Sequence, residues 1–465
     1  MAIRGGFSSR LGFIAAAAGS AVGLGNIWGF PAEVGAGGGG AFVFMYLIFC
    51  FVLCFPVMLT EIAIGRKTEK NPVGAFNALG FKRWNFIGKL GIISGFLILS
   101  FYNVIAGWAF GYIFEMAAGN FAVAENFSEF KLQVFKVGGY GLVFMMVTAY
   151  VVSKGISGGI EKASKILMPT LIIMMIGLVI YSFTLENSGT GLSFYLLPDL
   201  SEINGTVVYN ALGQAFFSLS LGMGALITYG SYVRKDENLV TAAALITVAD
   251  ITVAVLAGLL IFPLLGFITQ GNIGNGDMAT AGPDLIFVTL PQVFEQIGTG
   301  GALVGALFFL LLCFAALTST VSLLEVPVSY VVDEFKIRRK RAVWLVAGLI
   351  FLIGIPSLIG NGYSEFFTNF ITYVGADQPT SFLGFIGSVA NDTMLPLGGF
   401  LVVFFAAYVW KKHNLDDELA KGNPNYKGSF IQKYLNVAIY FISPVILGVI
   451  FILTVLGTFF GINLI

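Results

Sequence analysis

Five side chains with oxygen or amide groups lie inside stretches that are otherwise apolar: Asn26, Ser218, Asp250, Thr318 and Ser319. Asp250 is the most informative. It stands in AAALITVADITVAVLAG with no charged neighbour. A lone carboxylate in such a run is costly and marks a functional position. Thr318 and Ser319 place two adjacent hydroxyls in an equally apolar run. Carboxylate, hydroxyl and carbonyl oxygens are the donors a hard cation prefers. The plainer alternatives are a protonated core carboxyl for Asp250 and, for the hydroxyls, bonds to carbonyls of their own helix. The chain offers no phosphate-binding loop, metal cluster or nucleophile–base pair, so no enzymatic chemistry is expected. The lone His413 follows Lys411 and Lys412 and reads as a solvated flank, not a metal ligand.

The elements that must hold these residues follow from composition. Of 465 residues, 57% are hydrophobic and 11% charged, with a mean hydropathy of +0.88. That is the signature of an all-α polytopic protein whose solvent is the lipid bilayer. The net charge is zero, which gives no sign of a nucleic-acid partner. Cys50, Cys54 and Cys313 lie in apolar segments and read as small core residues. Windows of about 20 apolar residues predict eleven transmembrane helices, near 11–36, 40–65, 87–116, 138–154, 164–184, 208–233, 239–268, 300–332, 342–360, 379–410 and 434–462. The first window runs too far to be a cleaved signal peptide. Residues 185–207 and 269–299 read as structured loops. With the N-terminus in the cytoplasm, every Lys and Arg except Lys131 and Lys136 falls on the cytoplasmic side. The expectation is a plasma (inner) membrane protein whose C-terminus is extracellular.

Two of these helices are broken. GSAVGLGNIWGFP (19–31) carries four glycines, and FFSLSLGMGA (216–225) carries Gly222 and Gly224 behind Ser218 and Ser220. A helix interior disfavours Gly by about 1 kcal/mol relative to Ala. Unwinding at membrane depth frees N–H and C=O groups that lipid cannot satisfy. The broken spans are first and sixth, five apart, so the second set of five enters from the opposite side. That pattern is a 5+5 inverted repeat with one discontinuous helix in each half. Close helix packing would explain the glycines of one break alone, but less well a matched pair with Asn26 and two serines. GLGNIWG is not a dinucleotide fingerprint, because its third glycine is misplaced and no strand precedes it.

GSAVGLGNIWGFP, GGGGAF (37–42), P-x-M-x-x-E-x-x-x-GR (56–66), GQAFFSLSLGMGALITYGSYVRKD (213–236) and AALTSTVSL (315–323) together resemble the neurotransmitter:sodium symporter family. The resemblance runs to the end of the tenth span. It implies the LeuT fold, with a first repeat over 1–184, an extracellular loop over 185–207 and a second repeat over 208–410. A cytoplasmic loop (411–433) and an eleventh helix (434–465) follow. It implies import of a small zwitterionic substrate with Na⁺, by rocking of spans one, two, six and seven against three, four, eight and nine.

The family binds two sodium ions. By resemblance, one site falls on Ala21, Asn26, Ser218 and Asp250, and the other on Gly19, Val22, Ala315, Thr318 and Ser319. The family commonly has Asn where this chain has Asp250, and some members need chloride nearby; here Asp250 is expected to supply the charge and make transport chloride-independent. Monoamine carriers have Asp at the position of Gly23, so an amino acid that brings its own carboxylate is favoured. Its carboxylate would meet Leu24, Gly25 and Tyr102, and its amine Ala21, Phe217, Ser218 and Ser220. Ile98, Tyr102, Phe217, Met223, Ser319 and Leu323 would line a pocket for a neutral apolar side chain. The inner gate would be Arg4 with Asp333, beside Phe7 and Tyr232; Tyr102 and Phe217 would close the outer path. The family's outer-gate Arg is replaced by Gly29, and Gly387 stands near where its acidic partner would fall, so both halves of the charged latch are expected to be absent. That departure, with Glu33 nearby, leaves room for a β-amino acid, a taurine-like or a cationic amino compound. A non-transporting binding or sensor member of the fold is the other alternative. Glu61 belongs to the second-span signature, and Glu325 is expected along the inner path.

Overall fold

The computed structural model describes residues 5–272 and 283–462. Arg4 and part of the 269–299 loop lie outside them. Among the described residues the chain is helical, and one isolated bridge between Ile371 and Thr380 is its only β pairing. The first span comprises α1 (Arg10–Ala21) and α2 (Gly25–Ala36), which meet at 54°. Then come α3 (Gly40–Thr68), α4 (Lys82–Ala117), α5 (Val134–Ser153) and α6 (Ile156–Ser182). The sixth span is split into α7 (Gly205–Ser218) and α8 (Ala225–Gly230). The remaining spans are α9 (Leu239–Ile268), α10 (Gly301–Phe335), α11 (Arg339–Ile359), α12 (Phe382–Val409) and α13 (Phe430–Phe460). The 185–207 connection contains a short helix, Ser188–Leu196.

Among the described residues, nine of these helices are each long and apolar enough to cross a bilayer, ten with the bent pair α1–α2. The expected eleven differs for one physical reason. Residues 219–224 leave the helix, so neither α7 nor α8 is long enough to span alone.

Both breaks have clear local causes. Ser9 caps α1 by accepting from the Gly12 amide, and the helix ends where Val22 turns extended. In the other break, Ser220, Gly222 and Gly224 all take positive φ, at 53°, 80° and 73°, a region glycine enters without the steric cost other residues meet. A Cβ on Gly222 would stand 2.2 Å from the Leu395 carbonyl oxygen. Only a hydrogen fits there.

Several backbone groups at the breaks find side-chain partners. The Gly222 amide donates to Glu61 Oε1 at 2.7 Å. Gln214 Nε2 donates to the Gly25 carbonyl (2.9 Å), and Ser220 Oγ to the Ser20 carbonyl (2.9 Å). This is what a membrane interior demands of irregular backbone. Around this seam, α4, α5, α10 and α11 pack on one another. α1 packs against α6, α9 and α10, while α7 and α8 both pack against α3.

Candidate functional site

The break in the first helix, the end of α7 and the middle of α9 converge on one buried polar cluster. Asn26 Nδ2 donates to Asp250 Oδ1 at 2.7 Å and to Ser218 Oγ at 2.8 Å. Ser218 Oγ donates to Asp250 Oδ2 at 2.8 Å. Asn26 and Asp250 are fully buried and Ser218 nearly so. Asn26 Oδ1 accepts from the Gly23 amide at 3.0 Å, so the amide nitrogen is the group facing Asp250. That leaves the Asn26 oxygen one further acceptor position. Tyr46, on α3, joins the cluster without being foreseen; its hydroxyl lies 3.2 Å from Ser218 Oγ and 3.4 Å from Asp250 Oδ2. One tyrosine in an apolar helix carries no sequence signal of its own.

A second convergence joins the first-helix break to α10. Ser319 Oγ donates to the Val22 carbonyl at 3.0 Å. Thr318 Oγ1 donates within its own helix, to the Ala315 carbonyl at 2.9 Å and, at 3.3 Å, to the Phe314 carbonyl four residues back, the bond anticipated for such a hydroxyl. Gly19 faces Thr318 closely enough that a Cβ on it would lie 3.1 Å from Thr318 Cβ. Gly19, Val22, Ala315, Thr318 and Ser319 therefore share one locality, with the Thr318 and Ser319 hydroxyls turned to carbonyls.

Between the two clusters lies the Leu24–Gly25 turn. The Leu24 amide donates to the Tyr102 hydroxyl at 3.0 Å. The Phe217 ring covers Gly25, where a Cβ would meet Cε1 at 2.8 Å. On Gly23 a Cβ would stand 2.6 Å from Ser319 Oγ and 3.0 Å from the Tyr102 hydroxyl. A side chain at position 23 would fill this space. Ile98, Met223 and Leu323 are buried. The open face of Gly95 looks onto Leu323 and the Met223 carbonyl, both at 3.9 Å. The site thus has carbonyls and amides at its centre and an apolar wall beyond. Ala21 ends α1 at its rim; Ser220 points instead to Ser20.

Toward the start of α1, the Phe7 amide donates to the Tyr232 carbonyl at 3.2 Å, and the two rings are 6.4 Å apart. The Tyr232 hydroxyl donates to Glu325 at 2.8 Å, and Glu325 is paired with Arg339. Asp333 accepts from the backbone and side chain of Asn71, both at 3.2 Å.

Toward the other end a cavity of about 370 Å³ is lined by Glu33, Gln214, Phe217 and Asp392, among others. Gly387 precedes a wide helical turn, Ser388–Met394, that carries Asp392 into the cavity wall. Gly387 itself offers no acid; the acid carried by this helix is Asp392, on the cavity wall. Gln214, on that wall and bonded to Gly25, is a further unforeseen member, since an isolated glutamine reads as ordinary helix surface.

These features match known proteins over nearly the full chain. The family model described as "Sodium:neurotransmitter symporter family" matches residues 4–131 and 133–459. An uncharacterised sodium-dependent transporter of Haemophilus influenzae is 35% identical, covering 96% of this chain and 97% of its own. The uncharacterised sodium-dependent transporter YhdH of Bacillus subtilis is 33% identical, covering 96% of each. Among solved structures, MhsT in complex with L-phenylalanine is 39% identical, with a TM-score of 0.85 over 97% of this chain and 99% of its own. That likeness carries the LeuT fold to this chain. Residues 4–459 thus form a multi-pass, sodium-dependent membrane transporter, and the chain belongs to the sodium:neurotransmitter symporter family.

Proposed function

We propose that the protein imports a neutral, apolar amino acid by alternating access, coupled to sodium at two sites and independent of chloride. The observation that carries this reading is Asp250, a buried carboxylate whose two oxygens face Asn26 and Ser218 at a helix break. A carboxylate here gives a cation the negative charge that low-dielectric surroundings require. The first sodium would take oxygens from Ala21, Asn26, Ser218 and Asp250. The second would take Gly19, Val22, Ala315, Thr318 and Ser319, with the two hydroxyls turning from their carbonyl partners to the ion.

The substrate carboxylate would displace Tyr102 from the Leu24 amide and use both groups as donors, together with the Gly25 amide. Its amine would meet carbonyls at Ala21, Phe217 and Ser218. A neutral side chain fits the apolar wall of Ile98, Met223 and Leu323. MhsT, solved in complex with L-phenylalanine, supports the same substrate class. Phe217 and Tyr102 would close the outer path; Phe7, Tyr232, Asp333 and Arg4 would close the inner one. The basic loops favour a cytoplasmic N-terminus, and eleven crossings require α7 and α8 to traverse the bilayer together.

The test is uptake of labelled amino acids into proteoliposomes, with and without an inward sodium gradient, and with chloride replaced by gluconate. Accumulation should need sodium and survive gluconate. Loss of uptake in gluconate refutes chloride independence.

A second reading of the substrate has an observation of its own. Glu33 and Asp392 line the outer cavity, and neither has a cationic partner among the described residues. Two carboxylates there would favour an amino acid with an additional positive group. Competition of labelled uptake by leucine-like and lysine-like substrates separates the two readings.

A further inference from the structure

Near the start of α6, the fifth span, stands an acid that the transport site leaves unused. Glu161 closes the wide turn Ile156–Glu161 at the start of α6, and its side chain is only 2% exposed. Its carboxylate accepts four hydrogen bonds: from the Ser8 amide (2.7 Å), Ser8 Oγ (2.7 Å), Ser9 Oγ (3.0 Å) and Lys165 Nζ (2.6 Å). Three of these come from the two residues that lead into α1. Gly12 makes the approach possible, since a Cβ there would stand 2.0 Å from Glu161 Oε1.

Among the described residues, the other polar ties on this end of α1 are weaker in kind. Phe7 makes one amide bond to Tyr232. Arg10 pairs with Glu237 at 2.9 Å but is 47% exposed, and exposed pairs contribute little. Charge-assisted bonds to a buried carboxylate are roughly twice as strong as neutral ones. The helix break matters equally. Because α1 and α2 are separate at a 54° bend, α1 can swing as one body about residues 22–24 while α2 stays. α1 also carries Gly19 and Ala21, and Val22 follows it directly. A hold on its inner end is therefore a hold on ion release.

We propose that Glu161 is the pin that keeps the inner half of the first helix closed, and that sodium and substrate leave inward only after Ser8 and Ser9 come off it. Glu161 is a positioning residue and touches neither ion nor substrate. The proposal rests on the alternating-access reading above. A ligand that needs the closed form loses apparent affinity in proportion to the fraction of closed protein.

The experiment uses the full chain in lipid nanodiscs with one added cysteine, Ala17→Cys, on the buried face of α1. Cys50, Cys54 and Cys313 are buried, and the protein without Ala17→Cys serves as the labelling blank. Labelling by a hydrophilic maleimide is followed with and without sodium. Glu161→Gln should speed labelling by roughly three- to tenfold and raise half-saturating sodium by a similar factor. Ser8→Ala/Ser9→Ala should do the same, and combining the changes should add little more, because both remove one contact. If Glu161→Gln does not fold, the serine pair carries the test alone. Wild-type labelling rates and sodium affinity in the variants overturn the pin. Labelling of the Glu161 parent that ignores sodium overturns the alternating-access reading, and the pin with it.

Discussion

Asn26 Nδ2 lies 2.7 Å from Asp250 Oδ1, joining the break in the first helix to the middle of α9. The two residues are 224 positions apart and both fully buried. The contact converts two isolated polar residues into one site, with Ser218 closing the triangle.

The first prediction follows from the charge in that triangle. Asp250→Asn keeps the shape and removes the negative charge. Two unit charges about 4 Å apart interact by roughly 4 kcal/mol at an effective dielectric of 20. Even a fraction of that should raise the half-saturating sodium concentration by about tenfold or more. Uptake by the variant should also become chloride-stimulated, because an external anion can replace the lost charge. Sodium titrations in chloride and in gluconate measure both effects. Unchanged sodium affinity would remove Asp250 from the ion site.

Tyr102 and the Leu24 amide are partners in the site as it stands, at 3.0 Å. Tyr102→Phe leaves that buried amide unpaired, which costs about 1–3 kcal/mol. A bound carboxylate restores the amide's partner but still lacks the phenolic donor. Because the unpaired amide burdens only the free protein, it offsets part of that loss, and substrate affinity should fall by no more than a few-fold, while sodium-dependent stabilisation without substrate is retained. Thermal-shift titrations with sodium alone and with sodium plus substrate distinguish the two effects.

Arg66 and Glu418 form an ion pair at 2.9 Å with both side chains fully buried. Arg66 also donates to the Glu237 and Glu418 carbonyls, so it ties three segments together. Burial raises the Glu418 pKa, but Lys421 and Arg66 outweigh it and hold the group below its ordinary value. A depressed carboxylate pKa contributes stability above the unfolded-state value of 4.5, which is lost as pH falls through the folded-state value. Unfolding should therefore become easier below about pH 4.5, and Glu418→Gln should flatten that acid limb. At neutral pH the same change leaves Arg66 short of its charge partner, at a cost of about 3–5 kcal/mol. Melting temperature against pH for the two proteins checks both statements.

Much of this site was legible because membrane sequence is so apolar that polar residues stand out. Asn26, Ser218, Asp250, Thr318 and Ser319 are conspicuous in their segments, and the two glycine clusters mark both breaks. Tyr46 and Gln214 were not legible, since their roles arise only when α3 and α7 meet α9 and the Gly25 carbonyl. Glu161 reads in sequence as a charge at a helix end, and only the approach of Ser8 and Gly12 buries it. The Asn26 amide orientation likewise depends on the nearby Gly23 N–H, a tertiary detail.

The last prediction concerns how the second break is kept open. Gly222 needs φ near +80° and has the Leu395 carbonyl where a Cβ would go. Its amide is held by Glu61 Oε1, while Glu61 Oε2 is buried without a partner among the described residues. Gly222→Ala should therefore lower the melting temperature by several degrees and reduce the folded yield, since strain and overlap add. Glu61→Gln should be mild, because its amide oxygen can still accept from Gly222. Glu61→Leu removes the acceptor, leaving the Gly222 amide buried and unpaired at about 1–3 kcal/mol. The expected order of thermal stability puts Glu61→Gln above Glu61→Leu, with Gly222→Ala the most damaged of the three. Equal stability of the Glu61→Leu and Glu61→Gln variants would mean that Glu61 does not support the break.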